Sequence, residues 1–243
     1  MTHRLLCNNR GVCLAELMIA LTAGAVVLAA AMQSLTHFER RLSAQQVAMG
    51  RHQDLRVGLS IIEDELRLAD AGASGTFLLT ANQQEVAFLA NLEGGTAVLT
   101  EAAHPGQLEL CVDGGADWTK GKRIVLCAED DCAETRLAHD GQRKTLSVSQ
   151  PLDRAFPAGS KVWQASYLRY YLGKDGRGRP ALMRQVDGGA NPLIGETSSM
   201  RFRYLDRDGK PTEELSLVAR VRLELGVGGE QRLIVKEVGL RAI

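Results

Sequence analysis

The sequence predicts an α+β protein, a long N-terminal α-helix packed on a mostly antiparallel β-sheet head. Three observations predict it. The first of the six prolines is Pro105, so the front of the chain carries no strong helix breaker. Apolar residues before position 70 run uninterrupted or recur at helical spacing, whereas from Thr76 onward they follow a strand-like period. Glycine-containing turn signals then punctuate the remainder of the chain.

Composition sets the outer limits. The chain has 243 residues, 45% hydrophobic, with 29 basic and 29 acidic side chains. A core of that size supports a fold without metal or disulfide staples. Charge neutrality gives no reason to expect nucleic acid or an anionic surface as the main partner. Every aromatic residue except Phe38 lies at Phe77 or later, which again separates a helical front from a globular back.

Residues 12–32 form a run of 21 residues with one charge, Glu16. At about 1.5 Å per residue such a helix spans roughly 30 Å, one bilayer core. Arg4 and Arg10 precede it with no acid between them, which favours a cytoplasmic N-terminus and export of the bulk of the chain. Three readings compete: a secretory signal peptide cut near Ala29-Ala30-Ala31, an uncleaved anchor, and one that begins from Glu16. A carboxylate in an apolar helix costs on the order of a few kcal/mol near the bilayer centre, less near its edge. Such an acid needs a partner.

The segment Arg10-Gly11-Val12-Cys13-Leu14-Ala15-Glu16-Leu17-Met18-Ile19-Ala20-Leu21 resembles the type IV prepilin signature. In that family a glycine closes a short basic leader, a hydrophobic residue starts the mature chain, and glutamate is its fifth residue. Counting from Val12, Glu16 is fifth. The resemblance implies that a prepilin peptidase cleaves between Gly11 and Val12 and methylates the new amine of Val12. Val12, Cys13 and Ala15 depart from the family's usual residues, which bears on processing efficiency more than on identity. The freed amine supplies the partner that Glu16 needs. In a filament core, an amine from one subunit beside the glutamate of a neighbour offsets the desolvation of both and fixes register.

The implied organisation is a cleaved leader (1–11), a transmembrane part of the helix (12–32), an amphipathic helical stalk (33–72) and a β-rich exported head (73–243). Leu55, Leu59, Ile62 and Leu66 share one helix face, and Gly72 and Gly75 make a helix stop. Gly50 and Gly58 weaken the middle, by about 1 kcal/mol each relative to alanine, and permit a bend. Expected strands cover 77–80, 85–92, 107–112, 123–128, 144–149, 161–172, 181–186, 200–206, 215–227 and 232–242. Gly94-Gly95, Asp113-Gly114-Gly115, Asp140-Gly141, Asp175-Gly176, Asp208-Gly209 and Gly228-Gly229 supply turns between many of them.

Residue order over the back of the chain is similar to the PilW and GspJ group of minor pilins and pseudopilins. The cues include Glu63-Asp64-Glu65-Leu66-Arg67, Leu168-Arg169-Tyr170-Tyr171-Leu172 and Met200-Arg201-Phe202-Arg203-Tyr204. That resemblance implies a low-abundance structural subunit that primes assembly or sits at the tip of a type IV pilus, and no enzyme. The same features fit a minor pseudopilin of a type II secretion system. Implied partners are the prepilin peptidase, other minor and major pilins or pseudopilins, and the inner-membrane assembly platform. The implied location is the bacterial inner membrane with a periplasmic head.

Other chemistry is thin. Cys7 leaves with the leader and Cys13 falls in the anchor. Cys111, Cys127 and Cys132 remain in the exported part, where an oxidising compartment permits a disulfide, with Cys127–Cys132 or Cys111 and either one as alternatives. A zinc site would need a further ligand such as His139, at no standard spacing, and no cofactor is expected. Asp206-Arg207-Asp208-Gly209 resembles the opening of a calcium loop, but a hairpin turn explains it better. Gly173-Lys174-Asp175-Gly176-Arg177-Gly178 precedes Pro180 and a strand rather than a helix, so it too reads as a hairpin and not as a phosphate loop. Arg177, Arg179 and Arg184, with Arg201, Arg203 and Arg207 nearby in sequence, would make a patch for DNA or an acidic partner if they shared a face, as in a tip adhesin or DNA-binding pilin. A membrane-tethered enzyme has no support: His104 and His139 have no recognisable catalytic partner.

Overall fold

The computed structural model describes residues 14–70, 78–129, 131–228 and 233–240. Arg4, Cys7, Arg10, Gly11, Val12 and Cys13 lie outside the described residues, as do Gly72, Gly75, Phe77, Asp130 and Gly229. The class is α+β: one long N-terminal helix and a mostly antiparallel sheet. The chain divides into two compact units, the first ending at His52 and the second beginning at Gln53.

Helix α1 runs Leu14–Arg67 and ends in a 3₁₀ turn, Leu68–Asp70. Its first part is rich in alanine and leucine and free of proline, which is what a long helix requires. No described residue of the first unit is buried. Leu17, Ile19, Leu21, Val26, Val27 and Leu28 all stand exposed. Among the described residues α1 is the one helix long and apolar enough to cross a membrane. Thr22, inside the apolar run, donates its hydroxyl to the Ile19 carbonyl at 2.9 Å, so this polar side chain is satisfied within the helix.

In the second unit the helix changes character. Gly58, Ile62, Glu65 and Leu66 are its buried residues, followed by Ala69 in the 3₁₀ turn. These positions fall at i, i+4, i+7, i+8 and i+11, one helix face. Leu55 and Leu59 pack half-buried at its margin. Gly58 is therefore a point of close approach and not a weak link. A Cβ there would lie 2.4 Å from Ile194 Cγ1 and 2.9 Å from Cδ1.

Among the described residues thirteen strands follow: β1 (Leu78–Ala81), β2 (Glu85–Ala90), β3 (Thr96–Leu99), β4 (Glu109–Asp113), β5 (Arg123–Ala128), β6 (Asp131–Arg136) and β7 (Thr145–Ser147); then β8 (Lys161–Lys174), β9 (Pro180–Val186), β10 (Gly189–Gly195), β11 (Thr197–Leu205), β12 (Arg220–Val227) and β13 (Leu233–Gly239). The expected strand over 215–227 is shorter than the pattern implies, because Leu215–Leu217 forms a 3₁₀ turn.

Strand β8 organises the larger, ten-stranded sheet. Its first half pairs with β3 on one side and β5 on the other, and its second half pairs with β2 and β9. All these pairings are antiparallel. The second sheet has the order β11-β12-β13. Two large cores result. One gathers Ile62 and Leu66 of the helix with Phe88, Tyr170, Phe202 and Leu223. The other gathers Leu110, Ile124, Leu126, Leu146, Phe156 and Val162. The sheets are tied at the β1–β2 turn: the Tyr204 hydroxyl lies 2.9 Å from the carbonyls of Asn82 and Glu85, and the Phe202 amide donates to the Gln83 carbonyl at 2.9 Å.

Two opposed effects meet at Gly58. Alanine gains about 1 kcal/mol of helix propensity over glycine, while overpacking a filled core costs about 1–3 kcal/mol. With Ile194 inside the Cβ position, packing wins. Gly58→Ala is expected to lower the urea midpoint of the full chain, and Ile194→Ala added to it should recover part of the loss. Gly50→Ala, where nothing lies within 4 Å, should instead raise helicity by circular dichroism.

Candidate functional site

Glu16 lies in the first turn of α1, exposed and surrounded along the helix by Leu14, Leu17, Ile19 and other apolar side chains. The residues that the cleavage reading pairs with it, Gly11 and Val12, are outside the described residues.

The second unit holds a charged cluster that the sequence reading did not single out. Glu65 is only 8% exposed and sits between two strands at once. Arg184 of β9 donates to it from Nε, 3.1 and 3.0 Å from the two carboxylate oxygens, and from Nη2 as well. The Tyr170 hydroxyl of β8 donates to Glu65 Oε2. Tyr170 and Arg184 are direct cross-strand partners, so the sheet register delivers both donors to one point. Burial pushes the Tyr170 hydroxyl far above its ordinary range, and the Glu65 carboxylate adds to the shift, so it stays a donor. Hydrogen bonding to Glu65 likewise raises the Arg184 guanidinium.

A neighbouring helix residue ties the second sheet. Glu63 contacts Arg67 and, through Lys236, strand β13, each at 2.5 Å. The hydrogen bond from Lys236 is the main reason the Glu63 carboxyl lies below its ordinary range. The signal for Glu65 was available in principle. It lies three residues after Ile62 and seven after Gly58, on the apolar face and not opposite it.

Arg177, Arg179 and Arg184 differ in their surroundings. Arg184 is committed to Glu65 beneath the helix. Arg179 pairs with Asp175 at 2.9 Å and lies 3.7 Å from Glu196. Arg177 is exposed in the β8–β9 turn. That turn is built by Asp175, whose Oδ1 accepts the amides of Arg177 and Arg179 at 2.9 Å each, with Gly178 at φ +76°. It cradles its own backbone. The Asp206 turn does the same: Asp206 Oδ1 accepts the Lys210 amide at 2.8 Å and Gly209 takes φ +81°.

Cys127 and Cys132 are joined by a disulfide across directly opposed positions of β5 and β6, beside the buried Trp163. Cys111, half-buried on β4, is free. Among the described residues no three histidine, cysteine, aspartate or glutamate side chains converge in a way that would hold a metal ion. A scan against models of protein families finds no match, and a search of curated proteins finds no relative.

Removing one member of a buried ion pair strands the other and costs about 3–5 kcal/mol. Glu65→Ala is expected to destabilise the second unit by about 2 kcal/mol in urea denaturation, less than for a fully buried pair because the Arg184 side chain is 29% exposed and can reach water. Arg184→Met with Glu65→Leu should cost much less than the two single changes summed, because no charge is then left uncompensated.

Proposed function

We propose that this chain is a membrane-anchored filament subunit with a type IV pilin-like fold, a minor pilin cleaved between Gly11 and Val12. The observation that carries the reading is Glu16. It is a single acid in the first turn of a long helix that is otherwise apolar across a bilayer's width, preceded in sequence by Arg10-Gly11 and joined to an antiparallel β domain. A plain anchor gains nothing from a carboxylate at that depth. A mature chain beginning at Val12 gains a cation of its own, and in a bundle of such helices each amine neutralises the glutamate of a neighbour. The exposed apolar side chains of residues 14–52 serve the same end, first in lipid and then against other helices in the filament core. The β domain stays outside the membrane and carries the contacts that distinguish this subunit from others. A pseudopilus of type II secretion uses the same logic, and deleting the gene separates the two: loss of pili and twitching marks the first, loss of enzyme release the second.

Mass spectrometry of the native N-terminus is the direct test, with a methylated Val12 as the expected first residue. Gly11→Leu should leave the leader attached, and normal maturation of that variant overturns the peptidase assignment. Glu16→Ala should insert in the membrane normally but be depleted from sheared filaments, since the amine of the neighbour loses a partner worth about 3 kcal/mol in a dry core. Wild-type incorporation of Glu16→Ala removes the charge-pair mechanism.

A further inference from the structure

We propose that the outer face of the β11–β12–β13 sheet docks a protein segment that presents carboxylates next to apolar side chains. The inference goes beyond the filament reading and does not rest on it, because every residue involved belongs to the unit from Gln53 onward.

Alternation along the strands fixes which side chains look outward. Phe202, Tyr204, Val221, Leu223, Leu225 and Val238 turn into the core. Arg201 and Arg203 on β11, Arg220, Arg222 and Glu224 on β12, and Leu233, Val235 and Glu237 on β13 therefore share the other face. Register places them in rows across the sheet: Arg201, Glu224 and Val235 in one, Arg203, Arg222 and Glu237 in the next.

Four arginines thus face two glutamates, and the imbalance is sharper than the count. Arg203 pairs with Glu224 at 2.9 Å, with the Glu224 side chain 13% exposed and the Arg203 side chain 50% exposed. Glu237 is taken by both Arg222 at 2.8 Å and Arg220 at 3.5 Å. The acids are used up and the cations look outward. The Arg201 side chain has no ion-pair or hydrogen-bond partner among the described residues. Arg203 and Arg222 are direct cross-strand neighbours, a like-charge pairing that weakens a sheet. A face selected for stability alone would alternate signs there.

The apolar residues choose among anionic partners. Leu233 and Val235 are 53% and 55% exposed, Val235 in the row of Arg201 and Leu233 one row beyond it. A phosphate backbone offers them nothing to bury, and no aromatic ring on this face is available to stack on a base. A protein surface offers both halves, since arginines around small apolar patches are typical of protein interfaces. The guanidinium fork matches a carboxylate in two-point geometry.

The test uses the full chain in phosphatidylcholine nanodiscs, with empty nanodiscs as the blank. The probes are a fluorescent peptide of alternating glutamate and leucine, an all-glutamate peptide of the same length, and duplex DNA. The glutamate–leucine peptide should bind most tightly. Arg201→Glu with Arg203→Gln should weaken it roughly tenfold. Val235→Ser should weaken it about fivefold yet leave the all-glutamate peptide unchanged. Arg177→Glu, in the β8–β9 turn, should change nothing. Should the double variant lose its circular dichroism spectrum, Arg201→Glu alone, which breaks no contact, carries the measurement. Equal affinity for all polyanions, tighter binding of DNA, no binding by the wild type, or an unchanged affinity in Arg201→Glu each overturns the proposal.

Discussion

The carboxylate of Glu65 is the point on which the second unit turns. It is withdrawn from water at a cost that only a full set of donors offsets, and the donors come from two adjacent strands whose pairing places Tyr170 opposite Arg184. The carboxylate is satisfied only when the helix is docked and the β8–β9 register is correct. Hydrophobic burial of Ile62 and Leu66 supplies most of the driving force for docking. It does not by itself specify rotation or translation along the helix axis. A carboxylate with three fixed donors does, and the same setting brings Gly58 against Ile194 and Glu63 to Lys236.

Helix α1 carries two chemistries along one element. Among the described residues up to His52 none is buried, and from Gly58 the inner face of the helix is filled. Helix propensity alone explains neither part, since helical stability in proteins comes mostly from what an amphipathic face meets. The first stretch is suited to an apolar medium or to other helices, the second to its own sheet.

Much of this layout is legible in the residues, and the exceptions have physical causes. The helix end near Ala69 and the strand at 123–128 follow from periodicity and turn chemistry. Strand β10 escapes notice because Gly189, Pro192 and Gly195 read as loop, whereas a proline is tolerated on a strand paired along one side only. Strand β6 hides behind Glu129 and Asp131, whose charges look like a solvated turn. Strand β3 is four residues long, too short for alternation to stand out. Glu65 is overlooked for a different reason: within Glu63-Asp64-Glu65 it reads as one of a run of solvated acids, although the phase set by Leu55, Leu59, Ile62 and Leu66 puts it on the apolar face. Whether the arginines share a face is likewise a matter of strand phase, which proximity in sequence does not give.

The position of β8 in the chain bears on how the molecule is made. The strand that β2, β3 and β5 all require begins at Lys161, some seventy residues after β2 ends. A polypeptide emerging from its N-terminus therefore carries seven strands for which the central template does not yet exist. The β5–β6 hairpin is local in sequence, and its disulfide joins residues only five apart, so neither pairing needs a later strand. Neither large core can close before β8, since Val162 belongs to one and Leu168 and Tyr170 to the other, and apolar strands left unpaired in that interval favour aggregation. Truncation anywhere before Lys161 would leave not a smaller domain but an unassembled one.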